Sequence, residues 1–340
     1  MTLQILWFIL WGVLWIGYFV LDGFDLGTGI LYSSLAPSEI ARSAVRRSIG
    51  PVWDGNEVWL LTAGGATFAA FPAVYASMFS FLYTALLLIL FSLIVRGVSL
   101  EFRGKTSGTR WARICDAGIF VGSILPAFLF GVAFGNIFRG LPFDASGYHG
   151  SFFALLNPYA LVTGLLFMAM FIVHGALWVG MKLEGETGET AMSAANRYWP
   201  VLLLDVGVFL ALTPASTELE KNYLSAPVLA VVPLLAVASL VMIRVFAAKK
   251  RARSAFIASA LTIGLTLASG FIGLYPNMLP SRTDPAASLT LINASSSPLT
   301  LKIMTILALV FVPVVIGYQI WVYRVFRKKI APDDPSYDVY

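Results

Sequence analysis

The sequence is poor in charged residues. Lys, Arg, Asp and Glu together make up 12% of its 340 residues, whereas an ordinary soluble domain contains about 25%. Hydrophobic residues make up 58%, and the mean hydropathy is +0.81. This balance excludes a soluble globular domain and predicts an integral membrane protein surrounded by membrane lipid. The net charge of +5 does not indicate a nucleic-acid partner, because the basic residues collect in alternate loops.

Cysteine and histidine are also scarce, with one and two residues respectively. The lone Cys115 excludes an intrachain disulfide and any site built from several cysteines. His149 lies in a predicted outside loop and His174 in the middle of an apolar run, so the two do not converge as a pair of haem or metal ligands must. We therefore predict no haem or metal ligand and, without a phosphate-binding glycine loop, CxxC motif or nucleophile elbow, no catalytic residue in this chain.

Apolar runs dominate what is present, and nine are long enough to cross a bilayer. They cover residues 5–32, 51–71, 75–95, 112–138, 157–181, 198–214, 226–246, 255–275 and 299–324. The sixth is short: at about 1.5 Å per residue it spans a core of about 30 Å only if it extends back through Asn196 or the bilayer thins. We predict an all-α fold with nine transmembrane helices, forming a single polytopic domain over residues 1–330.

The basic residues set the orientation of this domain. Nineteen of the 23 Lys and Arg residues fall on the side that contains the loop 33–50. Basic residues mark the cytoplasmic side, so the N-terminus is predicted outside and the C-terminus in the cytoplasm. The alternation persists through all nine runs and supports their number. Residues 331–340 are predicted to form a flexible cytoplasmic tail.

Four acidic residues crowd the end of the first run and the start of the second. Asp22 and Asp25 are three residues apart, as are Asp54 and Glu57, so each pair shares one helix face. A charged side chain within a membrane span costs roughly 2.5–3.5 kcal/mol and needs a partner or a task. Together with Asn56 as a hydrogen-bond relay, the four acids predict a path for proton uptake from the cytoplasm.

The same acids also have a purely structural interpretation. Asp54 can cap its helix, and the aspartates of the first run can pair with loop arginines. Arg96 and Arg103 can neutralise the acids, or Arg103 can pair locally with Glu101, and the sequence does not choose between these arrangements. Asn56 can simply hold two helices together, and Trp59 is typical of an interfacial aromatic belt.

Two further polar residues lie deep in later runs. His174 is expected to form a helix–helix hydrogen bond. Asp205, midway along the sixth run, must face protein or water and is therefore a functional candidate unless a polar partner makes it structural.

Several short motifs resemble subunit II of the cytochrome bd-type quinol oxidases. They run in order along nearly the whole chain: GFDLG at 23–27, WDGNEVW at 53–59, TAGGA at 62–66, LEFRGK at 100–105, GVAFGN at 131–136, LNPY at 156–159, HGA at 174–176 and SPLTL at 297–301. Such a series makes the resemblance specific.

The resemblance implies a fold of two four-helix bundles plus one peripheral helix, paired with the haem subunit, subunit I. It implies that subunit I carries two b-type haems, haem d and the quinol site, and that the complex reduces O₂ to water in the bacterial inner membrane. Carried over by motif, Asp25 and Asp54 are the strongest proton-path positions, with Asp22 and Asn56 beside them, and Trp59 marks the mouth of an oxygen channel. Neither Glu57 nor Asp205 receives a family role, and the resemblance leaves open a small single-helix subunit and a bound quinone or lipid.

Two other functions remain compatible with acids in membrane helices. One is a proton-coupled secondary transporter, although such proteins often carry broken helices at corresponding positions of two repeats, and here the acids occupy one half only. The other is a purely structural scaffold for a haem subunit. Haem absorption that copurifies with a second chain favours the oxidase, whereas a colourless monomer that transports favours the first alternative.

Overall fold

Helices make up most of the computed structural model, which describes residues 1–105 and 108–331. The α-helices are α1 Thr2–Leu35, α2 Glu39–Ile49, α3 Trp53–Ala70, α4 Pro72–Phe81, α5 Tyr83–Phe102, α6 Thr109–Arg139, α7 Pro158–Lys182, α8 Gly185–Ser216, α9 Glu220–Ser225, α10 Val231–Ala248, α11 Ala252–Leu274 and α12 Pro298–Val325. Two short antiparallel hairpins pair β1 Phe143–Asp144 with β2 Gly147–Tyr148 and β3 Asn277–Leu279 with β4 Leu289–Thr290. The tail predicted at 331–340 lies, apart from its first residue, outside the described residues.

Within the described residues, eight helices are long and apolar enough to cross a membrane. They are α1, α5, α6, α7, α8, α10 with the turn before it, α11 and α12. The prediction of an all-α multi-pass membrane protein is therefore confirmed. The second predicted run, 51–71, forms α3, which has 18 residues and is not among the eight because Asp54, Asn56 and Glu57 lower its hydropathy.

Two predicted boundaries change in the structure. The run 75–95 is divided between α4 and α5, with Leu82 between them. The sixth run extends back to Gly185, so that α8 has 32 residues and a length of about 48 Å at 1.5 Å per residue. The short stretch between Pro200 and Pro214 is thus only part of a helix that is long enough to span.

Helix α1 occupies the centre of the fold and packs against α3, α6, α7 and α11. Its crossing with α7 is close: a Cβ atom on Gly27 would lie 1.7 Å from the carbonyl oxygen of Phe171, and one on Gly175 would lie 2.3 Å from the amide nitrogen of Thr28. Glycine is required at both positions because the two backbones touch there. The crossing fixes the depth of Asp22 and Asp25 relative to α7.

Aromatic rings fill the core on the N-terminal side of this crossing along α1. Phe19 lies 5.4 Å from Phe130, 5.2 Å from Phe134 and 5.1 Å from Phe167 between ring centroids, each time edge to face. This is the preferred geometry of aromatic pairs, which contribute about 0.5–1.5 kcal/mol beyond their burial. The cluster ties α1 to α6 and α7 about one turn before Asp22.

The loop between α6 and α7 contains the first hairpin and the exposed His149. Ser146 donates two hydrogen bonds to Asp144 Oδ1, of 2.6 Å from its hydroxyl and 2.8 Å from its backbone, and His149 Nε2 lies 2.9 Å from the same oxygen. These hydrogen bonds, led by the Ser146 hydroxyl, lower the pKa of Asp144 to about 2. His149 thus contacts Asp144 at the surface, whereas His174 is buried within α7.

Candidate functional site

A buried ion-pair network joins α1, α3 and α5. Arg96 of α5 and Asp22 of α1 are fully buried, with 1% and 0% of their surface exposed. Arg96 Nη2 donates hydrogen bonds of 2.6 Å to Asp22 Oδ1 and 2.8 Å to Glu57 Oε1. Of the arrangements that the sequence leaves open, the structure therefore has Arg96 neutralising the acid cluster.

A second chain of hydrogen bonds runs from Asp25 to α12. The Asn56 side-chain amide donates 2.7 Å to Asp25 Oδ2, and its oxygen accepts from the Tyr323 hydroxyl at 2.9 Å and from Gln319 at 3.1 Å. Gln319 in turn accepts from the indole nitrogen of Trp59 at 2.8 Å. Asn56 thus joins a buried carboxylate of α1 to the last helix.

Buried polar atoms without a protein partner surround these two chains. Asp22 Oδ2, Asp25 Oδ1 and both Nε and Nη1 of Arg96 make no hydrogen bond to the described part of the chain. Such atoms are costly to bury unless water satisfies them. Moreover, Arg96 pairs with two carboxyl groups, those of Asp22 and Glu57. Asp25, the third acid of the network, accepts a hydrogen bond from the neutral Asn56 amide and forms no ion pair with the described residues. The network therefore has both unused hydrogen-bonding capacity and an excess of acid.

Asp54 lies apart from these contacts. It occupies the exposed first turn of α3, and no hydrogen bond or ion pair joins it to the described residues. The N-cap residue of α3 is Val52, and no side-chain hydrogen bond caps this end of the helix. The structure thus brings three of the four predicted acids together and leaves Asp54 at the surface, one helical turn from the partly exposed Glu57.

A separate cluster of charges uses Arg103, which the sequence had offered as a partner for the acids or for Glu101. Arg103 Nε donates 2.6 Å to Asp116 Oδ1, and its Nη2 lies 2.8 Å from Glu39. Arg42 donates 2.8 Å to the second oxygen of Asp116. Burial opposes the charged form of Arg103, but the hydrogen bonds that Arg103 donates to Asp116 and Glu39 outweigh it and raise the pKa of Arg103 above its ordinary value. This cluster fastens the loop after α5 to α2 and α6.

Sequence reasoning missed three participants: Asp116, Gln319 and Tyr323. A usable signal for the last two was their polarity within the inner half of the apolar run 299–324. Asp116 is the eighth residue of α6 and follows a basic loop, and a carboxylate within a membrane helix calls for a cationic partner.

The haem groups that the resemblance implies do not fit the histidines of this chain. His174 is fully buried, its Nδ1 lies 2.6 Å from the Ser259 hydroxyl and its Nε2 lies 3.1 Å from the carbonyl oxygen of Val20. Phe256 stacks on its ring at 4.4 Å between centroids. Both ring nitrogens are thus directed at protein groups, which gives the expected helix–helix hydrogen bond. Across the described ranges no group of three or more His, Cys, Asp or Glu side chains could hold a metal ion.

Asp205 occupies a different environment from the network acids. It is half-buried on α8, and neither a hydrogen bond nor an ion pair connects it to the described residues. The serine or histidine partner that would have made it structural is therefore not found among them.

Fold and site together define a polytopic membrane protein that buries a net-acidic, hydrogen-bonded network between its first helices and its last. The chain belongs to the family described as cytochrome bd terminal oxidase subunit II, which it matches over residues 3–326. It is 38% identical to cytochrome bd-I ubiquinol oxidase subunit 2 of Escherichia coli (strain K12), over 98% of this chain and 96% of the relative. It is 37% identical to cytochrome bd ubiquinol oxidase subunit 2 of Bacillus subtilis (strain 168), over 98% of both.

A solved structure supports the fold independently. A chain in the structure of bd oxidase from Geobacillus thermodenitrificans superposes with a TM-score of 0.79 at 17% identity, over 96% of this chain and 99% of that chain. The chain is therefore a member of a family of respiratory quinol oxidase subunits, and its membrane-helical fold is that of a bd oxidase chain.

Proposed function

We propose that this chain is the subunit of a bacterial quinol:oxygen oxidoreductase that ligates no haem, packs against the haem subunit and conducts protons from the cytoplasm towards it. The two b-type haems, haem d and the quinol site belong to the partner in this proposal, and O₂ is reduced to water there. The observation that carries the proposal is the buried network of Asp22, Asp25, Asn56, Glu57 and Arg96. A purely structural subunit would gain little from such a network. Burying charged groups costs free energy, whereas packing apolar side chains in the same place does not carry that cost.

The proton path proposed here begins at Asp54, the exposed acid on α3. Glu57 lies one turn further along the same helix, with its side chain 24% exposed. From Glu57 the hydrogen bonds lead through Arg96 to Asp22, and Asp25 follows one turn away on α1. Because one guanidinium cannot balance three carboxylates, the network is suited to take up a proton, and its unpaired atoms offer water the hydrogen bonds that transfer requires.

The membrane arrangement in this proposal has nine spans with the N-terminus outside. Helix α3 is the ninth: its 18 residues extend about 27 Å, close to the thickness of about 30 Å of a bilayer core. We place α1, α3, α5 and α6 in one bundle, α7, α8, α10 and α11 in the other, and α12 at the periphery. In support, α12 contacts only α1 and α3 appreciably, and its outer surface is almost entirely apolar and exposed.

The partner subunit is proposed to cover the apolar surfaces of α3, α5 and α12. Exposed large side chains there include Leu61, Phe91 and Phe311. Trp59 lies between these surfaces and α1, with its ring 3.0 Å from the position of a Cβ on Gly17. This location suits the proposed role of Trp59 at the mouth of an oxygen channel.

The test replaces Asp25 by Asn in the whole complex, purified and reconstituted with its quinol in sealed proteoliposomes. We expect oxygen consumption per assembled haem complex to fall at least about 10-fold, and wild-type turnover to generate a membrane potential positive on the side remote from Asp54. Glu189→Gln is the matched control: it removes an exposed acid of α8 outside the network and should leave turnover unchanged.

Two results would contradict the proposal. If Asp25→Asn lowers the amount of complex but leaves turnover per complex unchanged, the network is structural and the chain is a scaffold. If wild-type turnover is fast but produces no potential in sealed vesicles, protons and electrons reach oxygen from the same side.

A further inference from the structure

A cavity of about 1150 Å³ opens on the side of the molecule where most basic residues lie. Its walls come from the junction of α2 and α3, the ends of α7 and α12, and the turn between α10 and α11. Nine basic side chains line it, and none of the described residues in its lining is acidic: Arg47, Lys182, Lys250, Arg251, Arg253, Arg324, Arg327, Lys328 and Lys329. A bias of basic residues towards one membrane side does not require them to converge on one cavity, so this arrangement needs a further reason.

Two local features hold basic side chains at the cavity wall. Lys250 has a φ of 54°, and it is the only residue other than glycine in the described ranges with a positive φ. Glycine usually takes this position at a helix end, and a side chain there costs about 1 kcal/mol or more. Lys182 donates to the carbonyl oxygens of Phe326 and Lys328, and Ile330 N donates 2.8 Å to Lys182 O. These bonds fix the chain after α12 to the end of α7.

The cavity continues from this basic rim to an apolar wall. Leu21, Val52, Trp59, Ile316 and Ile320 line that part. Ile316 precedes Arg324 by eight residues, which is about 12 Å along α12. A soluble anion would use only the charged end of such a cavity, whereas a phospholipid has a charged group at one end and acyl chains that fit the other.

Four basic side chains of the rim lack a counter-charge among the described residues. Arg251, Arg253, Lys328 and Lys329 form no ion pair with the described residues, in contrast to Arg96 and Arg103, whose carboxylate partners lie within 3 Å. Like charges gathered around one cavity repel one another unless an anion binds among them.

We propose that this cavity binds an anionic phospholipid of the cytoplasmic leaflet. Its phosphate lies among Arg251, Arg253, Lys328 and Lys329, and an acyl chain lies along Ile316 and Ile320. Basic pockets between transmembrane helices recognise anionic headgroups in this way. The lipid fills the gap between α12 and the body of the chain, which explains how a helix with few protein contacts is held in place.

The experiment measures lipid retained by the intact purified complex, after exchange into mixed micelles that contain equal amounts of phosphatidylglycerol and phosphatidylcholine. Native mass spectrometry is expected to find one phosphatidylglycerol retained at least 10-fold in preference to phosphatidylcholine. The variant with Arg251→Gln, Lys328→Gln and Lys329→Gln together should bind it more than 100-fold more weakly, since each basic residue near an anionic headgroup contributes roughly 1 kcal/mol. The matched control changes Arg110, Lys249 and Arg113 to Gln, on the same side but outside the cavity, and should retain the lipid as the wild type does.

Three outcomes would overturn the proposal. The first is equal retention by the cavity variant and the control variant. The second is displacement of the lipid by millimolar inorganic phosphate, which would show a site for a soluble anion. The third is equal retention of phosphatidylglycerol and phosphatidylcholine by the wild-type complex. This measurement needs no substitution, so it tests the proposal even if the triple variant does not assemble.

Discussion

Replacing Arg96 by Gln is the most informative perturbation of the buried network. The change removes the positive charge that pairs with Asp22 at 2.6 Å and with Glu57 at 2.8 Å, while keeping a side chain of similar length. Asp22 is left with 0% of its surface exposed and without an ion-pair partner among the described residues. Glu57 is less affected, because its side chain is 24% exposed and reaches solvent.

The magnitude follows from the burial of Asp22. Removing one partner of a buried ion pair costs about 3–5 kcal/mol, since it leaves an uncompensated charge in a low-dielectric interior. Asp22→Asn should cost less, because Arg96 keeps Glu57 as a partner. The double variant with Asp22→Asn and Arg96→Gln should regain at least about 1 kcal/mol relative to Arg96→Gln, because position 22 then carries no buried charge that has lost its partner.

The assay is unfolding of the purified complex in mixed micelles by increasing amounts of sodium dodecyl sulfate, followed by circular dichroism. Arg113→Gln, an exposed arginine on α6, is the control and should change the unfolding free energy by less than about 0.5 kcal/mol. Two results would refute this role of Arg96. One is that Arg96→Gln is no more destabilising than the control. The other is that the double variant is destabilised relative to the wild type by the sum of the two single effects.

Three further predictions test the packing of the chain. Gly27→Ala should prevent assembly, because its Cβ would lie 1.7 Å from the Phe171 carbonyl oxygen, whereas Gly207→Ala, with nothing within 4 Å, should be tolerated; equal yields of the two in membranes would contradict the close crossing. Asp116→Asn should destabilise the complex by about 1.5–3 kcal/mol through weakened hydrogen bonds to Arg42 and Arg103, measured by the same unfolding assay, and no effect would show that Glu39 suffices for Arg103. His174→Ala should lower stability through lost packing. It should leave the haem-to-protein ratio of the purified complex unchanged in a pyridine haemochrome assay. A loss of one haem would mean that this chain ligates it.

The sequence by itself determined the class of the protein and the region of its charged site. Low charge content and long apolar runs require a bilayer, since nothing else lets so much apolar surface stay exposed. The spacing of Asp22 with Asp25 and of Asp54 with Glu57 places each pair on one face, because helix periodicity is local and can be read from neighbouring residues. The family motifs were readable for the same reason.

Tertiary structure alone decided which groups meet. Arg96 is 74 residues from Asp22 and Tyr323 is 267 residues from Asn56, so no local pattern relates them. The sequence offered Arg96 and Arg103 equally, and helix packing assigns the first to Asp22 and the second to Asp116. Asp54 shows the converse: it shares a helix face with Glu57, yet it stays at the surface while Glu57 reaches Arg96. Which groups meet depends on the depth and rotation of each helix against its neighbours. Contacts distributed over the whole chain, such as the approach of Gly27 to Gly175, set that depth and rotation.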